Sequence, residues 1–523
     1  MNLSKTLKSN DLKYFVVILL MLLSGCKENS EKSNSDSFYY VSEKLGEKND
    51  FYFLFEQISN LHRQDRLVGA EVLIIRNDSI QLHDVVGWSD KEKKQKLRKN
   101  SIYRIRSMTK PIVATAILIL IDEGKLALED PVSKYIKSFD NPRSRSITIK
   151  QCLTHTSGLA SHDYEEIGLT KEPNEFETLS EVVEEIGQIG TISEPGNYRY
   201  SGSGTAVLTE IISLISGFSA ENFIQDRIFM PLEMSSAYTS FNPSVKWASN
   251  LNPTYRWVDS INGFIQYWNP TLEPEYKYFR GHGGVYCSAL DYAKFLSMWL
   301  HKGKHKDTQI LSKETIDLAQ TTTVEQSLRA PYTHQSLAWM MIKPDTNTNK
   351  IGYFMHGGAD GTLAYAFPNE HTIALYFNQS RNHPRFVFQD LLAITEPYDT
   401  YRKSNFNSEY LDKWKEIILL EKRAENKTLD AQFETYLGTY KCVNNGGFDS
   451  EIINKNGQLI LKNLQSGSEC KLFHDSENEF ICRFRPPPDG LISKVIFEQE
   501  EDGTLSFSLE WFNTRKFEFK KVK

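Results

Sequence analysis

The sequence predicts an α/β domain followed by a small, separate all-β antiparallel domain. Alternating apolar segments of strand type stand at both ends of residues 51–400, and buried-helix patterns lie between them. After residue 430 the pattern becomes almost entirely strand and turn. At 523 residues and 40% hydrophobic content, the chain has material for more than one packed core and too little polarity for global disorder. Lys+Arg 61 against Asp+Glu 67 give a net charge of −6, no footprint for wrapping a phosphate backbone, so nucleic acid is not an expected partner.

Residues 1–25 open with Lys5, Lys8 and Lys13, followed by an uncharged apolar run from Tyr14 to Leu23. A helix needs about 20 apolar residues to span a bilayer, so this shorter run reads as the apolar part of a secretion signal. It ends in Leu23-Ser24-Gly25-Cys26, which resembles the lipobox of bacterial lipoproteins. That resemblance implies cleavage before Cys26, lipid on its sulfur, and an exported protein anchored at the bacterial cell envelope, on the periplasmic face or cell surface and in the outer membrane. Residues 26–50 are rich in Lys, Glu, Asn and Ser and predict a flexible tether between lipid and globule. The other cysteines, Cys152, Cys287, Cys442, Cys470 and Cys482, are odd in number and lack paired CxxC spacing, so no metal site is expected. Cys470 and Cys482 flank an expected hairpin and are candidates for a disulfide.

The first strand pair is Ala70 to Ile75 and Ile80 to Val86, turned at Asn77-Asp78 and closed by Gly87. Ile112 to Ile121 is almost continuously apolar and runs into Gly124, the pattern of a buried helix with a glycine just past its end. A second helix is read from Val207, Leu208, Ile211, Ile212, Leu214 and Ile215, ended by Gly217. Strands return at Leu337 to Ile342, Gly352 to His356, Thr362 to Phe367 and Thr372 to Phe377. Residues 401–430 read as a helical linker centred on Leu411 to Arg423. In residues 431–523, alternation at Leu505, Phe507, Leu509 and Trp511 and hairpin signals at Asn456-Gly457 and Asp502-Gly503 mark the second domain.

Chemistry enters at Tyr103-Arg104-Ile105-Arg106-Ser107-Met108-Thr109-Lys110-Pro111, which opens the buried helix. The i, i+3 spacing puts the Ser107 hydroxyl and the Lys110 amine on one face of its first turn. Serine is a weak nucleophile until a neighbour takes its proton, and a lysine does so once burial lowers its pKa. The spacing alone is a poor signal, since Ser24 to Lys27 and Ser468 to Lys471 share it.

The surrounding motifs decide. Glu123-Gly124-Lys125-Leu126, Asp130-Pro131-Val132-Ser133-Lys134-Tyr135, Leu153-Thr154-His155-Thr156-Ser157-Gly158-Leu159, Pro195-Gly196 with Tyr200-Ser201, Ser288-Ala289-Leu290-Asp291 and His356-Gly357-Gly358 follow in order. Together they resemble the serine β-lactamase-like superfamily, in its class C β-lactamase, D-peptidase and family VIII esterase branch. The resemblance covers about residues 55–380. It implies a β-lactamase/transpeptidase-like fold, an antiparallel sheet flanked by helices plus a helical region, and likens the final domain to the lipocalin-like or barrel-like appendage of some relatives. It also implies that Ser107 forms an acyl-enzyme, with Lys110 and Tyr200 sharing the proton shuttling and either one serving as base. His356, Gly357 and Gly358 would line the substrate strand, and the Ala359 N–H would join that of Ser107 in an oxyanion hole. No cofactor is implied. His282-Gly283-Gly284 repeats the tripeptide but reads as structural, as does His155 in its turn.

One departure stands out. Where many relatives have Tyr-x-Asn, this chain has Tyr200-Ser201-Gly202, without the amide side chain that would bind a substrate's acylamino group. A simple ester has no such group to satisfy, so the expected activity is a membrane-anchored serine hydrolase acting on small carboxylic esters or D-amino-acid amide bonds. A penicillin-binding D,D-peptidase or weak β-lactamase is the second enzyme reading, and an inactive hydrolase scaffold used for binding or sensing is the non-enzyme reading. Eight of the 25 residues from 255 to 279 are aromatic where the overall 12% predicts about three, so this stretch either walls an apolar pocket or packs a long loop.

Overall fold

The computed structural model describes residues 39–40, 50–161, 169–258, 261, 263–272, 274, 276–326, 333–343, 351–381, 430–443, 449–464, 469–483, 492–511 and 515–522. The signal segment, Cys26 and the linker helix expected at Leu411 to Arg423 lie outside the described residues.

The elements that build the site run as follows. Helix α1 (Asp50–Arg63) leads into strands β1 (Gly69–Arg76) and β2 (Ser79–Asp90), then β3 (Ile102–Arg104) and helix α2 (Thr109–Asp122). Helix α3 (Gly202–Ser216), the hairpin β4 (Thr254–Val258) and β5 (Gly263–Trp268), strand β6 (Tyr286–Ser288) and helix α4 (Ala289–Leu300) form the middle. Strands β7 (Thr333–Gln335), β8 (Met340–Ile342), β9 (Tyr353–Gly357), β10 (Leu363–Phe367) and β11 (Thr372–Asn378) close the domain. The turn between β1 and β2 has Asn77 and Asp78 at φ 48° and 58°. Positive φ at both centres suits a tight hairpin, and short polar side chains tolerate it.

Strands from opposite ends of the domain share one antiparallel sheet in the order β2-β1-β11-β10-β9-β8-β7. All of β11 is buried, which is why its sequence reads as a continuous apolar run. One sheet face carries Val72, Ile74, Tyr365 and Tyr376 against Leu54 and Ile58 of α1. The opposite face meets α4 through ring contacts of Tyr292 with Phe377 and Trp299 with Phe354. Helix α2, buried from Thr109 to Leu120, packs beside α3. The strand expected from Leu337 starts only at Met340, because the Ser336 hydroxyl accepts the Ala338 and Trp339 N–H groups and bends the chain there.

The C-terminal strands β12 (Gly438–Cys442), β13 (Ser450–Lys455), β14 (Gln458–Asn463), β15 (Glu469–Ser476), β16 (Glu479–Arg483), β17 (Ile492–Gln499), β18 (Leu505–Trp511) and β19 (Arg515–Lys521) close into an antiparallel barrel. Its core includes Tyr440, Phe480, Phe497, Phe507 and Phe519. Cys470 and Cys482 are both buried in that core, opposite Leu461 and Leu472 respectively, and the candidate disulfide between them is not formed. Phe473 and Ile481 turn outward from the barrel core and join the sheet cluster that includes Leu54 and Ile58.

Candidate active site

Strand β3 pairs with β6 and leads into a single 3₁₀ turn, Arg106–Met108, before α2 begins. The Tyr292 hydroxyl donates to the Met108 carbonyl at 3.0 Å and the Val285 N–H to the Thr109 hydroxyl at 3.1 Å, which tie the turn to α4 and to the segment before β6. Ser107 is half-buried on this turn and Lys110 is buried one turn on. Lys110 Nζ lies 3.3 Å from Ser107 Oγ and donates to the His282 carbonyl at 3.0 Å. Burial in an apolar helix disfavours the ammonium form, and the positive charge of Arg280 adds to this, so the Lys110 pKa falls from 10.5 to about 7.

Tyr200 stands just before α3, whose first turn is capped by the Ser201 hydroxyl accepting the Gly204 N–H at 2.9 Å. The same hydroxyl donates to the Ala160 carbonyl at 2.7 Å, so Ser201 is committed to holding the helix start. Lys110 Nζ lies 4.7 Å from the centre of the Tyr200 ring. The His155 ring, expected as scaffold, lies tilted beside Tyr200 with ring centres 4.6 Å apart, and its Nδ1 accepts the Ser201 N–H at 3.2 Å. In the neutral ring the proton therefore sits on Nε2. His155 supports Tyr200 through both its ring and the backbone beside it.

The other wall is the end of β9. His356 Nδ1 donates to the Gly357 carbonyl at 3.0 Å, and its ring centre is 6.4 Å from that of Tyr200. Gly358 presses against the segment that leads into Ser107, where a Cβ would collide with the Ile105 carbonyl oxygen and with Thr362 Oγ1. Only glycine allows this approach, and the next residue but one, Asp360, bonds Arg106 on the same segment. Asp360, 1% exposed, accepts from Arg106 Nε at 2.7 Å and from the Tyr267 hydroxyl, with Arg104 Nε at 3.5 Å. A small cavity beside Lys110 is lined by His155, Gln335 and His356 among others.

The structure thus gathers Ser107, Lys110, Tyr200 and His356 to Ala359 at one place, while Cys26 lies outside the described residues. It adds His282, whose main-chain oxygen holds Lys110 and whose Nε2 accepts from Arg280 Nη2 at 2.9 Å. No motif marks Arg280 or Asp360, and the motif that contains His155 does not name Tyr200 as its neighbour. Asp360 meets Arg106 across 254 residues and Tyr267 across 93, separations that local pattern does not report. The aromatic stretch divides its work: Trp257 packs with Phe264 and Tyr255, and Trp268 lies under Arg104 and beside Phe241. These rings serve packing, and Tyr267 alone of the hairpin's rings reaches Asp360 among the described contacts.

Residues 54–395 match the beta-lactamase family model. The chain belongs to the beta-lactamase family. PbpX of Bacillus subtilis is 29% identical over 281 residues, covering 51% of this chain and 65% of that protein, so the match spans about two thirds of the relative's length. Among solved structures, the octameric penicillin-binding protein homologue from Pyrococcus abyssi is similar with a TM-score of 0.61 and 22% identity, over 90% of this chain and 100% of its own. EstCE1, a hydrolase with promiscuous acyltransferase activity, gives a TM-score of 0.54 and 20% identity over 64% and 94%. These likenesses establish the fold of a family of serine hydrolases that includes esterases, amidases and penicillin-binding-like proteins. The Pyrococcus match covers more of the chain than residues 1–395 contain, so it takes in part of the barrel region.

Proposed function

We propose that the protein is a serine hydrolase that forms an acyl-enzyme at Ser107 and cleaves small carboxylic esters or D-amino-acid amide bonds. The observation that carries this reading is the 3.3 Å approach of Ser107 Oγ to a lysine whose burial brings its pKa to about 7. At neutral pH about half of the Lys110 side chains are free amine, ready to take the Ser107 proton as Oγ attacks the carbonyl carbon. Negative charge then develops on the carbonyl oxygen, facing the N–H groups of Ser107 and Ala359 at the positive end of α2. Collapse expels the alcohol or amine, which takes the proton back from Lys110 or through Tyr200. Water then attacks the acyl-enzyme with the same groups as base.

Esters are favoured over acylamino-bearing substrates because Gly202 offers no side chain and the Ser201 hydroxyl is already engaged at both ends. The likeness to penicillin-binding proteins supports a D,D-peptidase as the second reading. Intact-mass measurement after exposure to a fluorophosphonate, penicillin and a p-nitrophenyl acyl ester tests both. Adducts absent in Ser107→Ala identify the nucleophile, and the reagent that turns over separates esterase from peptidase. No adduct from any of the three on folded protein overturns the hydrolase reading and favours a binding scaffold. The anchor is proposed from Leu23 to Cys26, and Cys26→Ala should move the protein from the detergent-partitioned membrane fraction to the soluble one.

A further inference from the structure

We propose that Asp360 is a positioning residue that locks the Ser107 turn to the Ala359 corner and to the β4–β5 hairpin. The role rests on the serine hydrolase reading above. Asp360 follows Ala359 directly, and its two carboxylate oxygens are shared between different parts of the chain: Oδ2 with Arg106 Nε at 2.7 Å, Oδ1 with the Tyr267 hydroxyl. Arg104 Nε stands 3.5 Å from Oδ2, its guanidinium lying 4.2 Å over the Trp268 ring. A carboxylate at 1% exposure is costly unless both oxygens are engaged, and here the engagement itself joins three segments.

The backbone shows what is being held. Arg106, next to the nucleophile, sits at φ 48°, a left-handed conformation that a non-glycine residue adopts at a cost on the order of 1 kcal/mol. Its side chain is tied to the residue after Ala359, so the strained turn and the second oxyanion donor are fixed by one ion pair. Gly358 against the Ile105 oxygen and the Arg106–Asp360 pair are two adjacent fastenings of the same corner. Burial and the neighbouring carboxylate push the Tyr267 phenol well above its usual range, so it stays a donor to Asp360 over the working pH range. Misplacing an oxyanion donor by about 1 Å costs on the order of 100-fold in rate while leaving substrate binding largely intact.

The test is a set of kcat and KM measurements on a p-nitrophenyl ester for Arg106→Met, Tyr267→Phe and Asp360→Asn, with the two double variants that contain Asp360→Asn. Asp360→Asn and Arg106→Met should each lower kcat about 100-fold and Tyr267→Phe about 10-fold, with KM held within about threefold. Because all three act through one carboxylate, each double variant should match Asp360→Asn alone within about threefold. Multiplying effects, or losses confined to KM, would overturn the positioning role. Tyr267→Phe keeps its ring and stays informative should a charge variant fail to fold; an unchanged kcat there overturns the proposal. A wild-type protein inert to both ester and fluorophosphonate overturns the hydrolase reading and this role with it, whereas an active wild type with unaffected variants overturns this role alone.

Discussion

The two His-Gly-Gly tripeptides, 282–284 and 356–358, share their sequence and serve the site in different ways. At 282 the useful atom is the main-chain oxygen, which holds Lys110 at 3.0 Å, while the imidazole turns away to receive Arg280. At 356 the tripeptide ends strand β9, its side chain stands beside Tyr200, and its second glycine lets the backbone reach the Ile105 carbonyl just before Ser107. The same three residues are therefore a bracket for Lys110 in one place and a wall beside Tyr200 in the other. What separates them is the backbone around them, a turn before β6 against the end of a sheet strand.

The sharpest contrast should come from one glycine of each tripeptide, Gly358 and Gly283. Gly358→Ala forces a methyl group onto the Ile105 oxygen and should lower kcat/KM of ester hydrolysis by about 1000-fold or prevent folding. In Gly283→Ala the new methyl lies 3.7 Å from Arg106 Cα, ordinary contact, and kcat/KM should stay within about fivefold. Equal losses at the two positions would erase the distinction.

Lys110→Met, which removes what the first tripeptide holds, should abolish measurable acylation by a fluorophosphonate and raise the melting temperature. With a folded pKa near 7 against 10.5 unfolded, the unfolded chain binds the extra proton between those values and the folded chain does not, so Lys110 lowers stability there and most fully below pH 7. The gain on substitution should be a few kcal/mol at pH 6 and fade toward pH 10.5, read by denaturant midpoints across pH. His356→Ala should cost about 10-fold in kcat/KM, and His282→Ala no more than about threefold at pH 8.5, because the Lys110 bond runs to a main-chain oxygen. The smallest effect belongs to Arg280→Gln. Removing that positive charge raises the Lys110 pKa, so the acid limb of the kcat/KM profile moves to higher pH, with about a threefold loss at pH 6.5 and none at pH 9.

Local signals made most of this legible. The hairpin at Asn77-Asp78, the apolar α2, the Gly217 end of α3 and the barrel turns each follow from a few adjacent residues, and the Ser107–Lys110 pairing follows from helical spacing. The partnerships across the fold were hidden. Nothing near Asp360 names Arg106 or Tyr267, and nothing near Arg280 marks it as a charge felt by Lys110. The run Leu337 to Ile342 reads as strand from its first residue because its apolar character is visible and the Ser336 hydroxyl's claim on two N–H groups is not; the strand holds from Met340. The dense aromatics at 255–279 announce packing but not its depth: Tyr255, Phe264 and Phe279 are buried, while Trp257, Tyr267, Trp268, Tyr276 and Tyr278 are only partly covered.

Phe473 and Ile481, 5% and 1% exposed, belong to the barrel by sequence and to the hydrolase sheet by packing. The barrel is thus a resident of the sheet that happens to be encoded in the same chain. Covalent continuity keeps its local concentration there high, so docking need not be strong to be nearly complete. A hydrolase domain shortened by genetic truncation inherits a greasy scar where those two side chains sat, and such a fragment should be sought in the aggregate before its activity is judged.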